Sequence, residues 1–300
     1  MKSILRRSFV TGTAGLAGLA ILNGRTDAID PFRRSAPGRM QLSLAAYSLR
    51  DKLTKGGWDL FKFVDYCHDN GLAGAELTSY YFPADVTTEY LVDLKQHCHL
   101  RGITISGGAI RNDFCQTDPA KLAADLEHTK KWIDYYAMLG APVIRIFAGN
   151  QPKNETWGDT VARCVKACES ACEYAHKKGV YLGLENHGGV TAKAEGLLEI
   201  VSKVRAKSFG INFDSGNFQS TDDPYKELEQ IAPYAVNAQL KVEITTNGKK
   251  GETDLKRVVN ILKNAGYSGW VALEYEAKED PLEAIPKWLS QLKPMVATNM

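Results

Sequence analysis

Three carboxylates stand where apolar runs stop: Glu185 in "LGLENHGG" (182–189), Asp214 in "NFDSGN" (212–217) and Glu274 in "ALEYE" (272–276). Strand interiors reward apolar side chains, whereas strand ends in α/β proteins open to solvent and can house polar chemistry. Burying carboxylates is costly unless they are paired or bound to a cation. Three hard oxygen donors suit a divalent ion such as Mn²⁺, Mg²⁺ or Co²⁺ better than a thiolate zinc site would. The competing reading is three separate local ion pairs. His187, at the end of the same run as Glu185, carries an imidazole that titrates near neutral pH and suits substrate binding or proton shuttling. Lys241 follows Gln239 by two residues, so the strand period puts both on one face, where a cation can bind an anionic group or an enolate. Glu76, Tyr47 and Tyr275 are candidate pocket-wall residues, with core filling as the alternative for the two tyrosines.

These residues need a frame that brings distant strand ends together. From residue 41 onward the chain alternates β-like runs with amphipathic helical patterns. The strand candidates are 41–48, 74–80, 103–110, 142–149, 180–186, 209–216, 236–243 and 270–276. Gly71, Gly102, Gly140, Gly179 and Gly266 close helices just before strands, and Asp118 followed by Pro119 opens one. Eight such pairs predict α/β architecture as a single (β/α)₈ TIM barrel over residues 41–297. An open doubly wound sheet is the alternative, but no strand-to-helix turn carries a glycine-rich phosphate loop. In a barrel the strands' carboxyl ends share one face, so Glu76, Glu185, His187, Asp214, Gln239, Lys241 and Glu274 converge. The run 107–114 would overhang that face, and Trp157 would either stack on a sugar ring or anchor a helix.

With "LGLENHGG", "NFDSGN", "AQLK" and "ALEYE" on this pattern, residues 40–295 resemble the sugar phosphate isomerase/epimerase family of xylose isomerase-like barrels. The resemblance implies a divalent metal, Mn²⁺ first with Mg²⁺, Co²⁺ or Zn²⁺ as alternatives, held by Glu185, Asp214, position 239 and Glu274. It also implies that Glu185 and Glu274 move protons, and that Asn217 takes the place of a substrate-binding histidine. Position 239 departs from the family pattern, being Gln where histidine is usual. The implied reaction is proton abstraction next to a carbonyl of a sugar through an enediolate, giving isomerisation or epimerisation. A lyase or dehydratase acting on a keto-sugar or keto-glycoside shares that first step, and a carbohydrate-binding barrel without activity is the reading from another class. Family members that cleave abasic DNA need further histidines and a basic groove, which this sequence lacks.

The remaining features concern destination. The 300 residues are 44% hydrophobic and 24% charged, an ordinary globular composition, and the net charge of +2 offers no basic field for nucleic acid. The amino terminus, "MKSILRRSFVTGTAGLAGLAILNG", places Arg6 and Arg7 before a short Gly/Ala/Leu-rich stretch and resembles a twin-arginine export signal. Residues 1–28 are therefore expected to be a signal, with a signal anchor as the alternative, 29–40 a flexible lead-in, and the mature protein periplasmic or otherwise exported, without a stable membrane span. Losing the signal removes four cations and one anion and leaves a net charge of −1. Cys164, Cys168 and Cys172 recur on one helix face, where disulfide geometry is poor and packing is the expected role. The expected partner is a small sugar, and the family resemblance implies a homodimer or homotetramer.

Overall fold

The computed structural model describes residues 29–32, 34, 38–219 and 221–297, so the expected signal segment 1–28 lies outside the described residues. Among these, β1 (Met40–Ala45), β2 (Gly74–Thr78), β3 (Thr104–Ala109), β4 (Val143–Ile146), β5 (Tyr181–Glu185), β6 (Phe209–Asp214) and β7 (Ala235–Leu240) follow one another along the chain. A hairpin of β8 (Glu243–Thr246) and β9 (Lys249–Glu252) comes next, and β10 (Gly269–Leu273) is last. Eight parallel strands close in the order β1-β10-β7-β6-β5-β4-β3-β2, with β8 and β9 forming a separate two-stranded sheet. All eight expected strands are present, shorter by a few residues because polar strand ends leave the ladder to form the loops of the open face.

Helices α1 (Arg50–Thr54), α2 (Leu60–Asp69), α3 (Thr88–Leu100), α4 (Pro119–Leu139), α5 (Trp157–Lys177), α6 (Ala194–Lys203), α7 (Pro224–Ile231), α8 (Leu255–Asn264) and α9 (Pro281–Val296) surround the barrel. Asp118 caps α4 by accepting from the amides of Ala120 and Lys121, and Gly140 ends it at φ 84°. Tyr136 of α4 lies flat on β3: a Cβ on Gly108 would come within 2.4 Å of its ring, so only glycine admits the helix this closely. All six cysteines are free and buried, and Cys164, Cys168 and Cys172 pack the inner face of α5 as expected.

The hairpin was not anticipated, although its signal was present. Asn247 and Gly248 take φ values of 50° and 71°, the two left-handed positions of a tight hairpin turn that Asn-Gly favours. At the opposite end of the barrel, the expected lead-in makes contacts. The Phe32 amide donates to the Pro233 carbonyl at 3.1 Å, and Arg34 stacks between Phe32 and Tyr267. Among the described residues no helix is long and apolar enough to cross a membrane.

Candidate active site

Short polar side chains fasten the strand ends on the open face. Asn186, next after β5, accepts from the Asp214 amide and donates to the Asp214 carbonyl, both at 2.9 Å. Asn112 does the same to Phe147 beyond β4, at 2.7 and 2.9 Å. Ser48 accepts from the Tyr275 amide at 2.8 Å and donates to the Leu273 carbonyl at 3.1 Å. Each side chain supplies the hydrogen bonds that the backbone ladder would have made one step further on, so the loops start from fixed positions.

Inside this frame the polar side chains form two tiers. In the lower one, Glu76 is fully buried and accepts from Asn237 at 2.7 Å and from Gln239 Nε2 at 2.5 Å. Gln239 Oε1 in turn accepts from Asn212 at 2.6 Å, whose Oδ1 accepts from Asn237 at 2.8 Å. Burial pushes the Glu76 carboxyl up to about 7, against the hydrogen bonds from Asn237 and Gln239.

The upper tier is ionic. Glu185 pairs with Arg145 Nε at 2.8 Å through Oε2 and accepts from Asn217 at 2.7 Å through Oε1. Arg145 also donates to the Ile110 carbonyl at 2.7 Å and covers the Phe147 ring at 3.9 Å. Lys241 Nζ donates to Asn217 Oδ1 at 2.9 Å. It lies 3.4 Å from Asp214 Oδ2, 3.4 Å from Glu274 Oε2 and 3.1 Å from Glu276 Oε1. Burial raises the pKa of Glu185, Asp214 and Glu274, and the cations Arg145 and Lys241 only partly restore the charged forms. Burial also opposes the charge on Lys241, but Asp214, Glu274 and Glu276 outweigh it and raise its pKa. His187 opens to the cavity mouth with its ring 4.3 Å from that of Phe147. Desolvation, with Arg145 and Lys241 nearby, lowers its pKa to about 4, so the imidazole is neutral at neutral pH.

These groups surround a cavity of about 460 Å³, whose walls include Tyr47, Arg145, Glu185, His187, Lys241 and Glu274. Of the residues singled out from sequence, Tyr47, Glu185, His187, Asn217, Lys241 and Glu274 therefore meet at one cavity. Asp214 stands behind Lys241, fully buried. Glu76 and Gln239 differ from expectation: they lie beneath the cavity, held by each other and by Asn212 and Asn237, rather than facing a ligand. Tyr275 is buried with its hydroxyl on the Glu279 carbonyl. Trp157 starts α5 and donates to Glu199 of α6 at 2.7 Å, the anchoring alternative. Arg145 was missed; its signal was a single cation inside the apolar run "PVIRIFAG".

The metal that the resemblance implies needs several free donors at one point. Gln239 has both ends of its amide engaged, and both oxygens of Glu185 have partners. The point between Asp214 and Glu274 is taken by the Lys241 ammonium. Among the described residues no group of three or more His, Cys, Asp or Glu side chains is arranged to hold a metal ion. As placed, these residues do not fit a four-ligand centre.

Known proteins share this frame. The family profile described as "Xylose isomerase-like TIM barrel" matches residues 64–292. The uncharacterized protein MJ1311 of Methanocaldococcus jannaschii is 24% identical over 258 residues, covering 79% of this chain and 81% of that one. Among solved structures, the IolI protein with a bound zinc atom superposes with a TM-score of 0.72 at 19% identity, covering 87% of this chain and 100% of that chain. The 3-keto-D-glucoside 4-epimerase YcjR of E. coli superposes with a TM-score of 0.69 at 12% identity, covering 85% and 100%. At such identities the superpositions speak for the fold, and the profile match, spanning most of the chain, speaks for the family. The chain belongs to the xylose isomerase-like TIM barrel family.

Proposed function

We propose that this barrel is a sugar isomerase or epimerase that moves a proton on a carbon adjacent to a carbonyl of a sugar derivative. The observation that carries the reading is the placement of Glu185 and Glu274 on walls three strands apart in the barrel order, with Arg145 and Lys241 beside them in one cavity. Buried carboxyls with raised pKa values can exist as either acid or base near neutral pH, which suits one to take a proton and the other to return it. Removing the proton sends charge to the carbonyl oxygen. A fixed guanidinium and ammonium in a site shielded from water stabilise that charge more than they would in bulk solvent. His187, being neutral, serves as a hydrogen-bonding partner for a hydroxyl rather than as an acid.

A second reading has one observation of its own. A cleft of about 180 Å³ adjoins the cavity, shares Asn217, Gln219, Lys241 and Glu276 with it, and runs toward the hairpin at Thr245 and Lys250. That space accommodates a substituent on the sugar, so elimination of such a group from the same enediolate is the alternative outcome.

Incubating keto-sugars and keto-glycosides in deuterated water separates the possibilities. Deuterium at the carbon beside the carbonyl in recovered sugar is expected for an isomerase or epimerase, and loss of the substituent for a lyase. No exchange and no elimination across both substrate sets would overturn the proposed function. Mn²⁺ or another divalent ion has no position in this scheme unless Lys241 withdraws from Asp214 and Glu274.

A further inference from the structure

The position of Lys241 raises the question of what neutralises the acidic pair it touches. Asp214 is fully buried, and its Oδ2 accepts no hydrogen bond from any described group. The Lys241 ammonium stands 3.4 Å from that oxygen and 3.4 Å from Glu274 Oε2. Its place there is held from the other side by Asn217 Oδ1 at 2.9 Å and Glu276 Oε1 at 3.1 Å. The lysine reaches this point because β7 ends at Leu240, and Ser215 Oγ accepts from the Lys241 amide at 2.8 Å, fixing the backbone where the side chain turns inward. A Cβ on Gly216 would come within 2.8 Å of Lys241 Cδ, so the glycine leaves room for the stem.

We infer that Lys241 is a built-in cation that occupies the meeting point of Asp214 and Glu274 and keeps a divalent ion from binding there. Two carboxylates beside an ammonium gain a single positive charge, here at 3.4 Å from each. A divalent ion would supply two charges but requires four to six oxygen or nitrogen donors. Here the donors that would complete such a set are tied elsewhere, Glu185 to Arg145 and Asn217, and Gln239 to Asn212 and Glu76. The ion and the ammonium therefore exclude one another. Binding of a metal costs the separation of Lys241 from three carboxylates, and removing the ammonium leaves Asp214 and Glu274 facing each other without a counter-charge.

The experiment is Mn²⁺ binding, followed by calorimetry and by the electron paramagnetic signal of free Mn²⁺, on the protein and on Lys241→Met. The expected result is far less than one ion per chain in the protein after dialysis, and at least tenfold tighter binding to Lys241→Met. Lys241→Met combined with Asp214→Asn should lose that gain, which places the ion between the two carboxylates. If Lys241→Met does not fold, Lys241→Gln, which keeps a polar end near Asn217, provides the same comparison. One tightly held Mn²⁺ per chain in the protein, with equal or weaker binding to the lysine variant, would overturn the inference. So would absence of binding to both, because Lys241 would then not be what excludes the ion. The readout is metal affinity, so its outcome stands apart from whether any sugar exchanges a proton.

Discussion

Arg145 shows how much one residue can decide in this cavity. Its guanidinium is buried, and so is the Glu185 carboxylate it pairs with at 2.8 Å. Breaking a buried pair by removing one partner costs about 3–5 kcal/mol, because the survivor keeps a charge it cannot solvate. Arg145→Met is therefore expected to lower stability by about that amount and to abolish turnover. Glu185→Gln in the same background removes the stranded charge and should return much of the stability without returning activity. Urea unfolding of the two single variants and the double variant measures this. Additive losses would mean that the two side chains do not depend on each other. Arg145 was hidden from sequence reading because a cation in an apolar strand looks the same whether it snorkels outward or turns into a barrel. Glu185, Asp214 and Glu274 were legible because each ends an apolar run. That Gln239 and Glu76 bond to one another was not legible, since β2 and β7 are not neighbours in the barrel and nothing local in the chain tells which side chains meet across its interior.

At the scale of elements, the loops that carry the cavity walls are fixed by amide side chains that mimic one more step of ladder. Asn186 is the clearest case, because it holds both polar groups of the Asp214 backbone at 2.9 Å and is fully buried. Asn186→Asp keeps the shape and the acceptor but removes the donor to the Asp214 carbonyl, and places a second buried acid beside Asp214. Leaving one buried group unsatisfied costs about 1–3 kcal/mol, and more when a charge is buried. The expected outcome is a loss of at least that size in chemical denaturation. An unchanged denaturation midpoint would show that the ladder between β5 and β6 suffices without the donor to the Asp214 carbonyl. Strands and helix ends were legible because their cues are local: apolar runs, Asp-Pro at the start of α4, glycines at helix ends. The clamps were not, since an Asn after a strand reads equally well as loop, ligand or cap. The hairpin of β8 and β9 falls between these cases, because its Asn-Gly turn was in plain view but its flanking residues are too polar to read as strand.

For the whole molecule, the buried acids set how stability depends on pH. Burial raises the carboxyl pKa values of Glu76, Glu185, Asp214 and Glu274 in the folded protein. In the unfolded chain these groups titrate near the ordinary values of about 4. Between that range and neutrality the folded state holds protons that the unfolded state has released. Stability contributed by these groups is thus present below the unfolded pKa and is lost as pH rises toward neutrality. His187 acts in the opposite direction. Its pKa is lowered to about 4, so on acidification the unfolded chain takes up a proton first and the histidine's contribution is lost as pH falls. Four acids outnumber one imidazole, so the urea midpoint should decline between about pH 5 and about pH 7 and level off above that. Glu274→Gln, which removes one of the four, should make the decline shallower. A midpoint that instead rises steadily across this range would mean that Arg145 and Lys241 fully offset the burial of these carboxylates, leaving the cluster charged at all working pH values and unable to hold the proton that the proposed transfer requires.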